Sequence, residues 1–154
     1  MLVIKKSIML VKESISFERG TDPKEMLGIG QKTLIKRWLD EMGVTNYIIN
    51  DDLTIDVDGD VRLYNKNLSK LPDYIQFGYV KLNFQINDNK LTTLKGCPFR
   101  VGRDFFCNHN QLYSLEYLPK IIGQDFIGGS NPIYFTLGHV RKYCTDYFGG
   151  VVIH

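Results

Sequence analysis

Three carboxylates alternate along the segment DDLTIDVDGD, and this spacing could hold a metal ion. In a β-strand Asp56, Asp58 and Asp60 would point to one face, and Ca²⁺ prefers oxygen ligands of this kind. An EF-hand loop is excluded because Gly59 is misplaced and Asn67 stands where the final Glu is needed. We therefore interpret these side chains as solvated charges at a strand edge, and no metal is expected.

His109 is a second residue that could support chemistry, as a general base acting on a nucleophile. Ser130 lies one repeat further on, but many polar pairs in a repeated sequence have this relation. Gly28 and Gly30 do not form a phosphate-binding loop, because no GK[ST] follows them. These residues predict no catalytic site and no cofactor, so we do not expect an enzyme.

The cysteines are Cys97, Cys107 and Cys144, an odd number without a C-x-x-C motif. This pattern disfavours both a disulfide framework and a zinc site. Cys107 is predicted to point inward as a small hydrophobic residue. A reduced, cytoplasmic setting is therefore the expectation.

The elements that position these residues follow from a repeat between Val57 and Ile133, with steps of 23, 21 and 21 residues. Each unit has an apolar anchor, an apolar residue four positions later, a further residue two positions after that, and a Leu or Ile eleven positions after the anchor. The four sets are Val57, Val61, Leu63 and Leu68; Val80, Phe84, Ile86 and Leu91; Val101, Phe105, Cys107 and Leu112; and Ile122, Phe126, Gly128 and Ile133. A fixed period of this length indicates stacked structural units.

The third unit shows how one coil is built. Phe105 and Cys107 are two residues apart, so a strand points both of them inward, and Leu112 and Leu115 fill the interior. Asn110 is predicted to turn the chain and to satisfy neighbouring backbone groups, as are Asn89 and Asn131 in a stacked column. One coil cannot bury these side chains alone, but stacked coils share a core.

The alternate residues of each strand point outward and form the candidate binding surface. Phe106 and Ile127 would lie side by side as an apolar spot of the kind that marks protein partners, unless they pack under the N-terminal segment. The acidic positions Asp60, Asp104 and Asp125 are predicted to bond backbone N–H groups instead. The candidate partner-binding residues are Arg62, Tyr64, Gln85, Asn87, Phe106, Asn108, His109 and Ile127.

The N-terminal part is predicted to cap the stack. Residues 1–20 could form strands or a helix, and Asp22 and Pro23 favour a short helix that Gly28 and Gly30 end early. The following segment QKTLIKRWLDEM is an amphipathic helix, ended by Gly43, whose Trp38 face closes the solenoid. The segments 47–49 and 54–57 flank a turn and predict a hairpin.

A second cap is predicted at the C-terminal end. Leu137, Val140, Cys144 and Tyr147 share one face of a helix that Thr136 caps and Gly149 ends. Covered ends are what a solenoid needs for solubility.

Composition sets further limits. With 154 residues and 44% apolar residues, the chain has room for one domain. The net charge of +2 is too small to indicate nucleic acid, and Arg62 is the one basic residue of the central outward row. The start MLVIKKSIMLVKES is interrupted by lysines, so neither a signal core nor a membrane span is expected.

The segments NKLTTLKGCPFRVGRDFFCNHNQLYSLEYLPK and FERGTDPKEMLGIG resemble the leucine-rich-repeat proteins of bacteriophages. The resemblance covers roughly Phe17 to Cys144. It departs from the pattern at Lys66, Pro72 and Gly128. It implies a concave strand sheet that carries the ligand and a recurrent leader segment. We expect this leader to be an ordinary N-terminal segment lying on the solenoid, and a docking peptide is the alternative.

The predicted fold is an α/β solenoid, a short leucine-rich-repeat stack of about four coils with parallel strands. It forms one domain: residues 1–56 are a leader, amphipathic helix and hairpin cap, residues 57–135 are the repeats, and residues 136–154 are a helical cap. We expect a phage-encoded protein-binding module in the host cytoplasm that blocks or recruits a host protein, such as a defence protein. The alternative is a structural or virion-associated protein docking on other viral subunits. Nucleic acid and membrane partners are disfavoured.

Overall fold

The computed structural model describes residues 23–149 and 152–154. The predictions for residues 1–20 and for a cap at Asp22 lie outside the described residues. The chain forms a β-solenoid of about four turns, with parallel strands on two faces and a helix at each end. The stacked-coil architecture predicted from the repeat is therefore confirmed.

The strands of the solenoid form two sheets, with one strand of a coil in each. The first sheet has the order β1 (Tyr47–Ile49), β2 (Ile55–Val57), β4 (Phe77–Val80), β6 (Arg100–Val101), β8 (Ile121–Ile122) and β10 (Asp146–Tyr147). The second sheet has the order β11 (Val152–Ile153), β9 (Phe126–Ile127), β7 (Phe105–Phe106), β5 (Phe84–Gln85) and β3 (Val61–Arg62).

The register of the second sheet follows the repeat. Val61 pairs with Phe84, Phe84 with Phe105 and Phe105 with Phe126, all in parallel. The anchors Val80, Val101 and Ile122 are also in register, but they belong to the first sheet. The repeat pattern predicts the strands at Phe84, Phe105 and Phe126, and the structure adds strands at the anchors Val80, Val101 and Ile122.

Aromatic rings form the axis of the core. The rings of Phe84 and Phe105 are stacked with centroids 5.7 Å apart, and those of Phe105 and Phe126 are 6.3 Å apart. Phe77 and Phe135 close the two ends of this stack edge-on. The buried apolar side chains join in one cluster that extends from the N-terminal helix to Cys144. No coil could form such an interior alone.

The asparagine column is present as predicted. The amide Nδ2 of Asn110 donates to the carbonyl oxygens of Ile86 (3.0 Å) and Cys107 (3.1 Å), and its Oδ1 accepts from the N–H of Leu91 (3.0 Å). Asn89 and Asn131 make the equivalent bonds in the neighbouring coils. Each amide thus satisfies backbone groups of two coils.

The N-terminal helix is longer than predicted. Helix α1 (Pro23–Met42) continues through Gly28 and Gly30, so the prediction of an early end is wrong. Its buried residues Ile35, Trp38 and Leu39 join the core cluster. This packing offsets the free energy of about 1 kcal/mol that each Gly costs inside a helix relative to Ala. The helix does end at Gly43 as predicted.

The end of α1 is a Schellman motif. Gly43 has φ +77, its N–H bonds the carbonyl of Asp40, and the N–H of Val44 bonds that of Leu39. The hairpin that follows is also confirmed, because β1 and β2 pair antiparallel.

The C-terminal helix is shorter than predicted. Helix α2 (Leu137–Tyr143) begins at Thr136, whose side chain forms a capping box with His139, and it buries Val140. It ends before Gly149, and Tyr147 lies in β10, so the prediction of one helix through Tyr147 is wrong. The physical reason is that β8 offers unpaired backbone groups, which β10 satisfies in parallel register.

Candidate interaction surface

The candidate surface is the outward face of the second sheet. Arg62, Gln85, Phe106 and Ile127 are in direct register on β3, β5, β7 and β9, so they form one continuous row. With about 4.8 Å between strands, this row is roughly 14 Å long. Arg62 is exposed, and the other three side chains are half-buried. The row therefore changes from charged to apolar along the solenoid axis.

Arg62 is held in place from within its own strand. Its guanidinium donates to Asp60 Oδ2 at 2.9 Å, so its charge is balanced by a neighbouring carboxylate. Since the Arg62 side chain is 64% exposed, the ion pair orients the guanidinium but adds little to the free energy of unfolding.

The acidic positions before the strands are structural. Asp60 Oδ1 accepts from the N–H of Asn83 (3.0 Å), Asn83 Oδ1 from that of Asp104 (3.0 Å), and Asp104 Oδ1 from that of Asp125 (2.8 Å). The predicted bonding to backbone N–H groups is thus confirmed for Asp60 and Asp104. Each bond joins adjacent coils, and this column holds the start of the outward row in register.

A corner follows each strand of the second sheet and brings a second row of polar side chains together. Asn65, Asp88, His109 and Ser130 all adopt the left-handed conformation, with φ between 53 and 54. Asn and Asp tolerate this conformation better than most residues, which explains part of the sequence at this corner. The shared conformation repeats the corner geometry from coil to coil.

His109 contacts two side chains at this corner. Its Nδ1 lies 3.4 Å from Asp88 Oδ1 and 3.0 Å from the amide Nδ2 of Asn108. Asp88 is not among the candidate partner-binding residues, although the 21-residue step places it one coil before His109. Between His109 and Ser130 no hydrogen bond occurs among the described residues. The corner is therefore a polar contact surface, and the predicted neighbour of His109 is not bonded to it.

The last coil closes part of the surface with its own chain. Gly129 occupies the position of Tyr64, Asn87 and Asn108, and a Cβ there would meet the backbone of His154. The ring of His154 stacks on Tyr134 with centroids 3.9 Å apart. The three preceding coils therefore carry the outward polar side chains at this position.

The carboxylates of the DDLTIDVDGD segment are separated by the fold. Asp56 bonds the N–H of Tyr79 and the amide of Asn50, whereas Asp58 pairs with Lys81 at 2.9 Å. Among residues 23–149 and 152–154, no three His, Cys, Asp or Glu side chains form a metal-binding group. Of Asp56, Asp58 and Asp60, only Asp58 is exposed as the interpretation of solvated edge charges expects, because Asp56 and Asp60 are half-buried and accept from backbone N–H groups.

The three cysteines are free and buried. Burial raises the pKa of each thiol, and it does so furthest for Cys97 and Cys107, which are inside the core. Cys144 donates from its Sγ to the carbonyl of Lys120 at 3.4 Å. These are inert packing groups, as predicted for Cys107.

Comparison of the chain with protein-family models, with curated proteins and with solved structures gives no match. Within the part of the chain that the structure describes, no helix has both the length and the apolar character to cross a membrane.

Proposed function

We propose that the protein is a non-enzymatic protein-binding module that uses the outward face of its second sheet. The observation that supports this proposal is the in-register row from Arg62 to Ile127, with the half-buried pair Phe106 and Ile127 beside polar Gln85. Aromatic and arginine side chains at the centre of a surface are the groups that most often dominate protein association. The flanking residues Tyr64, Asn87, Asn108 and His109 would form the polar rim.

Rigidity favours this use of the surface. The two hydrogen-bonded columns and the stacked phenylalanine rings fix each strand of the second sheet relative to the next coil. A partner would therefore lose little free energy to ordering the solenoid on binding. The resemblance to phage leucine-rich-repeat proteins supports a host protein as the partner, with inhibition or recruitment as the result.

The test is partner capture from a host cell lysate followed by mass spectrometry. The double variant Arg62→Glu and Phe106→Thr reverses the charge and removes the ring, and Thr keeps strand propensity. We expect the captured protein to be lost with this variant. The matched control is the double variant Tyr113→Ser and Lys95→Ala, at two exposed residues that lie outside the strands. This control should still capture the protein. Unchanged capture by the double variant would refute the proposed surface.

A second candidate is a structural role, docking on other viral subunits. The outer edge of β3 supports it, because among the described residues no strand pairs with that side of β3. Unpaired strand edges are templates for pairing with another chain. Detection of the protein in purified virus particles would favour this role over capture of a host protein.

A further inference from the structure

The outward face of the first sheet carries a second row that the repeat analysis did not single out. Tyr79, Arg100 and Ile121 are in parallel register on β4, β6 and β8. Arg100 lies over the ring of Tyr79, with its guanidinium carbon 4.9 Å from the ring centroid. Phe99 comes directly before β6 and is 54% exposed. We call Tyr79, Phe99, Arg100, Lys120 and Ile121 the arginine patch.

Backbone bonds make the arginine patch contiguous. The N–H of Phe99 bonds the carbonyl of Gly78, and the N–H of Lys120 bonds the carbonyl of Phe99, both at 2.9 Å. The backbone of Phe99 therefore lies between Gly78 of β4 and Lys120, one position before the register pair of Tyr79 and Arg100. The patch spans three neighbouring coils and is continuous in the direction of the solenoid axis.

In the described part of the chain the cations of the arginine patch form no ion pair, although the exposed Asp146 on β10 is in register with Ile121 in the same row. Among the described residues, no carboxylate lies within salt-bridge distance of Arg100 or Lys120, and both side chains are exposed. Lys120 instead donates to the carbonyl oxygen of Tyr143. This differs from the second sheet, where Arg62 is already paired with Asp60. Charge complementarity at the arginine patch therefore calls for an anionic ligand.

We propose that the arginine patch docks an acidic, extended segment of a partner protein. Stacking on Tyr79 holds the planar guanidinium of Arg100, and a held guanidinium can bind a carboxylate with two parallel hydrogen bonds. An extended strand points every second side chain to one face, so an alternating acidic segment can present its carboxylates together to Arg100 and Lys120. The site does not depend on the second sheet, so it can exist whether or not the proposed function holds.

A protein ligand fits better than a nucleic acid. Single-stranded nucleic acids use long basic grooves and open aromatic faces on which bases stack. Here Arg100 occupies one face of the Tyr79 ring, the patch has two cations rather than a long basic groove, and the net charge is only +2. Nucleic acid is therefore the competing outcome of the test rather than the proposal.

The experiment measures fluorescence anisotropy of a labelled decapeptide of alternating Glu and Val with the full chain. A decapeptide of alternating Gln and Val is the neutral counterpart, and a ten-nucleotide oligothymidylate is the nucleic-acid probe. We expect the Glu peptide to bind at least about tenfold more tightly than the Gln peptide. Arg100→Gln should remove most of this difference, and Arg100→Lys should restore part of it. Arg37→Gln, at an exposed position of α1 outside both surfaces, is the matched control and should leave the affinity unchanged.

Equal affinity for the two peptides overturns the proposal, as does an Arg100→Gln variant that binds the Glu peptide as tightly as the unmodified chain. Tighter binding of the oligothymidylate than of the Glu peptide overturns it in favour of nucleic acid. The double variant Arg62→Glu and Phe106→Thr separates the two surfaces. If it loses the captured host protein but keeps the Glu peptide, the proposed function and the arginine patch are independent.

Discussion

Asn110 makes hydrogen bonds that reach across two coils, and it does so from a buried position. Its side chain satisfies the carbonyl groups of Ile86 and Cys107 and the N–H of Leu91. A residue that serves three buried backbone groups has a larger effect on stability than its own size suggests, because each unpaired group costs free energy.

We therefore predict that Asn110→Ala lowers the free energy of unfolding by roughly 2–4 kcal/mol. The matched control is Asn87→Ala, because the Asn87 side chain donates only to the neighbouring Asp88 carboxylate, and its effect should stay within about 0.5 kcal/mol. Urea unfolding followed by circular dichroism measures both. Equal effects of the two substitutions would show that the asparagine column is not a source of stability.

Single residues also mark the limit of what the sequence predicts. The inward positions of Phe105, Cys107, Leu112 and Leu115 follow from spacing alone, because a strand alternates and a stacked coil has one interior. Spacing places Asp88 one coil before His109, but the contact between their side chains also depends on the left-handed corner that both residues adopt. The ion pair between Arg62 and Asp60 does not follow from spacing alone either, because it depends on the rotamers of the two side chains.

At the scale of elements, the backbones of adjacent coils lie close together at the corner between the two sheets. A Cβ at Gly102 would run into the carbonyl oxygen of Lys81, and one at Gly123 would run into that of Gly102. The backbone of one coil thus lies directly on that of the next. No side chain fits between them without moving a strand.

Gly102→Ala should therefore destabilise the protein by roughly 1–3 kcal/mol, because the clash is with backbone that cannot move alone. Gly138 in α2 provides the opposite case, since the nearest atom to an added Cβ is Thr136 Oγ1 at 3.6 Å. Gly138→Ala should raise stability by about 0.5–1 kcal/mol, because Ala favours the helix. The midpoint of thermal unfolding should fall for Gly102→Ala and rise for Gly138→Ala. The close-approach argument fails if the two substitutions shift the midpoint in the same direction.

The elements that sequence reasoning placed wrongly are those governed by tertiary contacts. Local propensity ends a helix at Gly28 and Gly30, but packing of Trp38 and Leu39 on the first coil keeps α1 continuous. The apolar spacing around Tyr147 fits a helix, but an open strand edge at β8 competes for the same backbone. Caps and turns such as Gly43 and Thr136 were predicted correctly because they depend on local chemistry.

At the scale of the whole molecule, the buried side chains form one cluster from Ile35 in α1 to Cys144 after α2. The phenylalanine stack is its centre, with Phe105 packed between Phe84 and Phe126. In a repeat protein, stability is shared between coils and their interfaces, so a change in the middle should reach both ends. The single tryptophan, Trp38, reports on the N-terminal end of this cluster.

Phe105→Ala tests this coupling, because it removes a fully buried ring far along the chain from α1. We expect a loss of roughly 3–5 kcal/mol, from lost burial and from the cavity left between Phe84 and Phe126. Trp38 fluorescence and far-ultraviolet circular dichroism should show the same, lowered urea midpoint, since a cooperative transition gives coincident probes. Phe99→Ala, at an exposed ring, should leave both midpoints nearly unchanged. A Trp38 midpoint that stays in place while the dichroism midpoint falls would mean that α1 is stabilised independently, and that the coils do not act as one folding unit.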